Sequence, residues 1–308
     1  MKRVLNYLGK AMTIIALAYI VYYIYRIDFD VNLIKSWPTF IVVALLGGIL
    51  LAGCVFCMGA LWGGIIKAFS KQSVQMNTAL KVYAKANIGK YLPGNVMHYV
   101  ERNLFAANAG MGQAEITMST ILEIGLEICT AGIIAIIFLG EHIAFIVGEL
   151  FSPLWLIVII ALLMIVVCVA VILFRLNSKF RDIIVRLFSK NILIASLKNM
   201  FFYGLIFAIM GLIMVAILKY PLGCELSTQV CGYVIASYIM AWVIGFVVPG
   251  APGGIGVREF VLITLLGAYL SEEYIVIAMI LHRLLNVAGD FLAYLISSVG
   301  MKNALEEQ

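Results

Sequence analysis

From Ser36 to Ile66 the chain runs without a single charged side chain. An α-helix needs about 20 apolar residues to cross a bilayer, and in lipid every backbone amide must be satisfied within the protein. A water-soluble fold has no use for such a run, so the segment is expected to span a membrane. The rest of the chain conforms. Hydrophobic residues make up 64% of the 308 and charged residues only 12%, against roughly half and a quarter in soluble domains. No polar block is long enough for a soluble domain. The expected fold is an all-α integral membrane protein, one membrane domain over residues 1–308, with about six to eight transmembrane helices.

Ala11–Tyr25 reads as a short first span. Basic residues precede it, but no small-residue cleavage site follows, so it is expected to be a retained helix and not a removed signal. Further spans are expected at Ile116–Gly140, Pro153–Phe174, Asn199–Leu218 and Tyr274–Val299. Arg175–Asn191 sets Leu176, Phe180, Ile183, Ile184, Leu187 and Phe188 at helical spacing against Lys179, Arg181, Asp182 and Arg186. It reads as an amphipathic helix on the membrane surface, within a basic cytoplasmic segment 175–198. Lys2, Arg3 and Lys10, then Lys67, Lys71 and Lys81, then the 175–198 segment fall on one side. Asp28, Asp30, Glu141, Glu149, Glu225, Glu272 and Glu273 fall mainly on the other. By the positive-inside rule both termini are cytoplasmic and the protein is a multi-pass component of the cell membrane.

Two places break this pattern. Pro249-Gly250-Ala251-Pro252-Gly253-Gly254-Ile255-Gly256 holds two prolines and four glycines in eight residues, and Val257-Arg258-Glu259 follows at once. Proline removes a backbone donor and glycine loosens the chain, so no helix continues through such a run. Leu92-Pro93-Gly94-Asn95 cuts the stretch Tyr83–Ala109 in the same manner. In both, an arginine stands nine residues after the first proline: Arg102 after Pro93, Arg258 after Pro249. The helices beyond also correspond, Ile121-Leu122-Glu123 with Ile280-Leu281-His282 and Glu127 with Asn286, once three residues are inserted. Elements 83–140 and 231–299 are therefore expected to be two re-entrant hairpins, each with its following helix. Entering from opposite faces, they would form an inverted repeat, as in many alternating-access transporters. Cys231–Val248 is also long enough to be a full span, and that alternative stays open.

A charge at the bilayer centre costs about 2.5–3.5 kcal/mol on insertion scales, so interior charges need a purpose. Glu123 lies about 12 Å into its span and Glu127 about 18 Å, one turn on along the same face; Arg283 lies about 15 Å into the last span. Two readings compete. In one, Arg102, Arg258 and Arg283 are struts neutralised by Glu123, Glu127 and Glu259. In the other they line a wet cavity, with Lys90 and Asn95, and receive an anionic head group, because the planar guanidinium donates paired hydrogen bonds to phosphate. Glu101, Glu123, Glu127, Glu259 and Asp290 would then gate, pair or carry protons. Pro93, Gly94, Pro249, Gly250, Pro252, Gly253, Gly254 and Gly256 would supply the backbone of the broken segments. His282 is expected to be a hydrogen-bonded interior residue.

Gly89-Lys90-Tyr91-Leu92-Pro93-Gly94 with Arg102 downstream resembles the first signature of the lysylphosphatidylglycerol synthase transmembrane (flippase-like) family. Pro252-Gly253-Gly254-Ile255-Gly256-Val257-Arg258-Glu259 resembles the second, and Arg283 fits the pattern of the last helix. The resemblance covers about Ser36 to Val299. Met97 stands where many relatives carry an aromatic residue, and Asn95 where lysine or glycine is common. The resemblance implies a protein that moves polar or glycosylated lipids between leaflets, here as a stand-alone member without the soluble synthase domain that makes aminoacyl lipid. It also implies envelope glycolipid or polyprenyl-linked sugar pathways.

The expected function is thus a lipid flippase or transporter for an anionic or glycosylated, for instance polyprenyl-phosphate-linked, head group. Two alternatives stand beside it: a non-transporting membrane partner of an envelope lipid or polysaccharide synthase, and a membrane-embedded transferase. No catalytic residue, cofactor or metal site is expected. The chain has no nucleotide-binding glycine-rich loop, and Cys54 and Cys57 sit in an uncharged helix, where small apolar packing is the ordinary role. Membrane lipids are the expected partners, with a lipid or glycan synthase and a homodimer left open and nucleic acid not expected.

Overall fold

The computed structural model describes residues 31–69, 75–91, 97–150, 175, 185–247, 254 and 256–299, without the side chains of 140–150. The expected spans Ala11–Tyr25 and Pro153–Phe174, most of Arg175–Asn191, and the hairpin tips Pro93, Gly94, Asn95, Pro249, Gly250, Pro252 and Gly253 lie outside the described residues.

Among the described residues every element is helical. We number the α-helices α1 Trp37–Phe69, α2 Met76–Ala86, α3 Met97–Asn108, α4 Gln113–Leu150, α5 Lys190–Lys219, α6 Thr228–Val247, α7 Val257–Leu266 and α8 Glu272–Val299. A 3-10 turn, Asn87–Tyr91, continues α2, and a shorter one, Val31–Leu33, precedes α1. Five helices are long and apolar enough to cross a membrane: α1, α4 over Gln113–Leu139, α5, α6 and α8. The chain is a multi-pass membrane protein.

Small residues set the closest approaches, as expected where lipid gives helices no hydrophobic reason to associate. A Cβ on Gly289 of α8 would stand 2.7 Å from Leu51 Cβ and 3.0 Å from the Gly48 carbonyl oxygen of α1. A Cβ on Gly211 of α5 would stand 2.6 Å from Ile235 of α6. These contacts draw α1 against α8 and α5 against α6. Around them lies an apolar core that includes Leu51, Met214, Ile217, Val234, Ala241, Leu262, Ala278 and Leu281. Ile41, Val42, Leu45, Leu46, Ile49 and Leu50 of α1 stay exposed on one side. A wholly apolar exposed stripe fits lipid, not water. A groove of about 550 Å³ between α1 and α5, lined by Val42, Leu46, Leu50, Leu212 and Ala216 among others, lies on this side and includes none of the candidate site residues.

Two helices run past the ends of the expected spans. Helix α4 does not stop at Gly140 but runs 38 residues to Leu150, and α5 begins at Lys190, not Asn199. Glutamates and lysines are good helix formers, so these charged turns mark where the bilayer ends and not where the helix ends. The limbs before the two proline-glycine runs are also unequal. Helix α2 has 11 residues and carries Lys81 and Lys85, whereas α6 has 20, is uncharged, and has the length of a full span.

Candidate functional site

The short helix α3 follows the first proline-glycine run and turns Glu101, Arg102 and Ala106 inward. Arg102 meets Glu123 of α4 at 2.5 Å, with the two side chains only 3% and 1% exposed. Its Nη2 also donates to Thr120 Oγ1 at 3.3 Å. Three rings box the guanidinium: Tyr83 at 4.8 Å, Trp62 at 4.9 Å and Tyr99 at 5.2 Å from its centre. Rings attract a cation through their electron-rich faces, more so away from water. Arg102 is thereby neutralised and enclosed in this conformation. Glu127 lies one turn beyond Glu123 and is buried as well.

Glu101, next to Arg102 in sequence, has a different fate. It is 1% exposed, and among the described residues neither carboxyl oxygen has a hydrogen-bond partner. The 3-10 turn lies directly on it: a Cβ on Gly89 would be 2.7 Å from Glu101 Oε2 and 3.0 Å from the His98 backbone. Helix α3 is not among the five that can cross a membrane, and there burial raises the Glu101 carboxyl to about 7. His98 Nδ1 is likewise buried without a partner. Burial, and then repulsion from Arg102 and Lys90, hold its imidazole well below the ordinary range.

The same turn is tied to the last helix. Asp290 of α8 takes an ion pair from Lys90 at 2.6 Å and a hydrogen bond from Asn87 Nδ2 at 2.7 Å. The Tyr91 hydroxyl donates to its other side. A carboxylate 2% exposed survives burial only with such donors, and three converge on this one. The node joins the first proline-glycine element to the helix that follows the second.

That second element forms its own cluster. Glu259 of α7 accepts the Gly256 N–H at 2.8 Å with Oε2 and meets Arg283 of α8 at 2.7 Å with Oε1. These side chains are 18% and 14% exposed, more open than the Arg102 pair. Arg258 runs through a slot between two glycines. A Cβ on Gly245 would be 2.5 Å from its Cγ, and a Cβ on Gly254 would be 2.7 Å from its Nε. Gly254 has φ +71°, which also favours glycine. The half-buried Arg258 has no carboxylate within ion-pair distance among the described residues, and its Nε is buried without a hydrogen-bond partner. Tyr238, Arg283, Glu259 and, from the first element, Tyr91 lie within electrostatic range of it.

His282 is an interior residue, as expected. Its Nε2 lies 3.0 Å from the Met210 carbonyl oxygen and so carries the proton. Its Nδ1 accepts from Asn286 Nδ2 at 2.8 Å and faces the Tyr238 hydroxyl at 3.3 Å. The neutral ring links α8 to α5 and α6.

Arg258, Glu259 and Arg283 are brought together, as are Arg102 with Glu123 and Lys90 with Asp290. Among the described residues Arg102 and Arg258 share no contact partner. Sequence reasoning missed Trp62, Tyr83, Tyr99, Thr120, Asn87, Tyr91 and Gly245. Within apolar runs aromatic residues read as ordinary packing, and only a count of rings near each interior cation would have singled them out. Among the described residues no group of three His, Cys, Asp or Glu side chains is arranged for a metal ion. Fold and site define a multi-pass membrane protein with an ion-paired interior. The chain matches no family model and no curated protein sequence.

Proposed function

We propose that the protein moves lipids with anionic head groups across the cytoplasmic membrane, receiving the head group at Arg258. One observation carries this reading. Of the candidate cations Lys90, Arg102, Arg258 and Arg283, only Arg258 has no carboxylate within ion-pair distance among the described residues. A cation kept half-buried at this cost, with its stem gripped by Gly245 and Gly254, suits a visiting anion. Phosphate matches the guanidinium fork with paired hydrogen bonds.

Two further points support it. The motifs around Pro93 and Pro249 resemble the flippase-like family, whose members move polar lipids. The ion pairs also recur in both halves: Arg102 of α3 with Glu123 of α4, and Glu259 of α7 with Arg283 of α8. Each joins a short helix after a proline-glycine run to the long helix that follows. The two separations differ by the same three residues that align the sequence halves. An inverted repeat of two re-entrant elements accounts for this and would let the halves rock about the head group. The head group would cross with its tails left in lipid, and both termini would face the cytoplasm.

The test is a scrambling assay in proteoliposomes with fluorescent phosphatidylglycerol and a polyprenyl phosphate. Wild-type protein is expected to move at least one of them, and Arg258→Ala to slow that movement roughly ten- to hundredfold, the loss of one to two charge-assisted contacts. No movement of either lipid by the wild type overturns the reading.

A further inference from the structure

Five interior carboxylates near the site are Glu101, Glu123, Glu127, Glu259 and Asp290, and three of them, Glu123, Glu259 and Asp290, face a cation within 2.7 Å. Of the other two, Glu101 is the one with both oxygens buried without a hydrogen-bond partner among the described residues. Its two oxygens have no donor, its side chain is sealed from solvent, and Gly89 sits against Oε2. A bare carboxylate in such a place has lost its hydration with nothing in return, whereas a carboxylic acid has no charge to solvate. The charged or titratable groups on the elements packed against α3 are Lys81, Tyr83 and Lys85 of α2, Lys90 and Tyr91 of the turn, and Glu115, Glu123, Glu127, Cys129, Glu141, His142 and Glu149 of α4. On α3 itself are His98, Tyr99 and Arg102. Among the described residues neither Glu101 oxygen takes a hydrogen bond from any of them.

We propose that Glu101 is a proton-binding site whose occupancy is linked to the seating of the 3-10 turn Asn87–Tyr91. With the turn down, Glu101 holds a proton on one carboxyl oxygen and Gly89 closes over it. When the turn lifts, water enters, the O–H bond breaks, and the proton passes to water while the electron pair stays on the carboxylate. Lifting the turn also frees Asp290 from Lys90, Asn87 and Tyr91, so losing the proton favours releasing the latch between the first proline-glycine element and α8. The neighbouring His98 does not compete for the proton, because burial and two nearby cations keep its ring neutral. Linkage of this kind is reciprocal: what lifts the turn also expels the proton. The site itself does not depend on the transport reading; its use as a coupling device rests on it.

Infrared difference spectroscopy on the full chain in nanodiscs, stepped between about pH 6 and pH 8, reads the site directly. Wild type is expected to lose the carbonyl band of a protonated carboxylic acid across that step. Glu101→Gln, which has the shape of the protonated acid, is expected to lack the change; Glu127→Gln is expected to keep it. If Glu101→Gln does not fold, Gly89→Ala serves instead. Its methyl group props the turn open, and the midpoint is expected to fall by about one pH unit, a tenfold loss of proton affinity. A band change absent from wild type, retained in Glu101→Gln, or unmoved in Gly89→Ala overturns the proposal. The coupling has its own readout, a scrambling rate that changes between the two pH values in wild type and not in Glu101→Gln. A pH-independent wild-type rate rejects coupling, and a protein that scrambles nothing while the band titrates rejects transport alone.

Discussion

Glu259 meets Arg283 across α7 and α8 at 2.7 Å, and the pair repeats, with its charges exchanged, the contact of Arg102 with Glu123 across α3 and α4. A shared geometry with reversed sign keeps both joints neutral, yet it presents the unpaired neighbour differently. Beside the first joint stands Glu101, and beside the second stands Arg258. Among the described residues one half leaves a carboxyl group without a partner, and the other leaves a guanidinium without a carboxylate.

The two joints are expected to differ in strength. Removing one partner of a fully buried pair strands the other charge at a cost of about 3–5 kcal/mol, whereas open pairs contribute about 0–1 kcal/mol. Glu123→Gln should therefore lower the melting temperature in detergent far more than Glu259→Gln, whose pair is 14% and 18% exposed. Equal shifts would contradict the view that Arg102 is sealed in its aromatic box.

The glycine slot makes a second prediction. Gly245→Ala drives a methyl group to 2.5 Å from Arg258 Cγ, an overlap that costs about 1–3 kcal/mol if the side chain cannot yield. The guanidinium has room to yield only by leaving the slot. Thermal stability should fall modestly while head-group movement falls nearly as far as in Arg258→Ala. Arg258→Lys keeps the charge and loses the fork, and its rate should lie between those of wild type and Arg258→Ala.

Asp290 makes a third. Lys90→Ala and Asp290→Asn remove partners of one node and should not add: a double-mutant cycle on unfolding is expected to give a coupling of about 1–3 kcal/mol. Coupling near zero would mean that the 3-10 turn is held by packing alone.

Glu101 sets a pH dependence with a definite sign. The folded protein holds this proton up to about 7, against an ordinary value of 4.5, and the unfolded chain releases it first. Between those values the native state binds more protons, so stability falls as pH rises from 4.5 through 7 and levels off above. Thermal melts across that range should show the decline in wild type and a flatter profile in Glu101→Gln.

Much of this architecture is legible in the sequence. The uncharged run Ser36–Ile66 requires a span because lipid accepts nothing else, and α1 covers it. The interior charges on α3, α4, α7 and α8 leave two readings open, neutralised struts or a wet cavity, and two of the arginines, Arg102 and Arg283, are paired. What could not be read is which charge meets which. The box around Arg102 draws Trp62, Tyr83 and Tyr99 from three helices, and Asp290 takes its donors from a turn some two hundred residues away. Those meetings are products of helix packing, and no local pattern encodes them. Helices that run on past the expected spans could not be read either, for another reason. At Gly140 and Asn199 the sequence changes from apolar to polar, but a change of solvent is no barrier to helical hydrogen bonding.

The 38 residues of α4 make a rod about 57 Å long, nearly twice the thickness of the hydrocarbon layer. Its ion pair with Arg102 lies close to one end, at Glu123, and leaves about 40 Å of helix beyond. Beyond Glu123, Ala131, Ala135 and Leu139 stay buried in the core, so the rod is gripped well past its ion pair and tilts only with its neighbours. A tilt of about ten degrees about Leu139 would sweep the Leu150 end through about 3 Å, a displacement that a spin label or fluorophore near Leu150 can register.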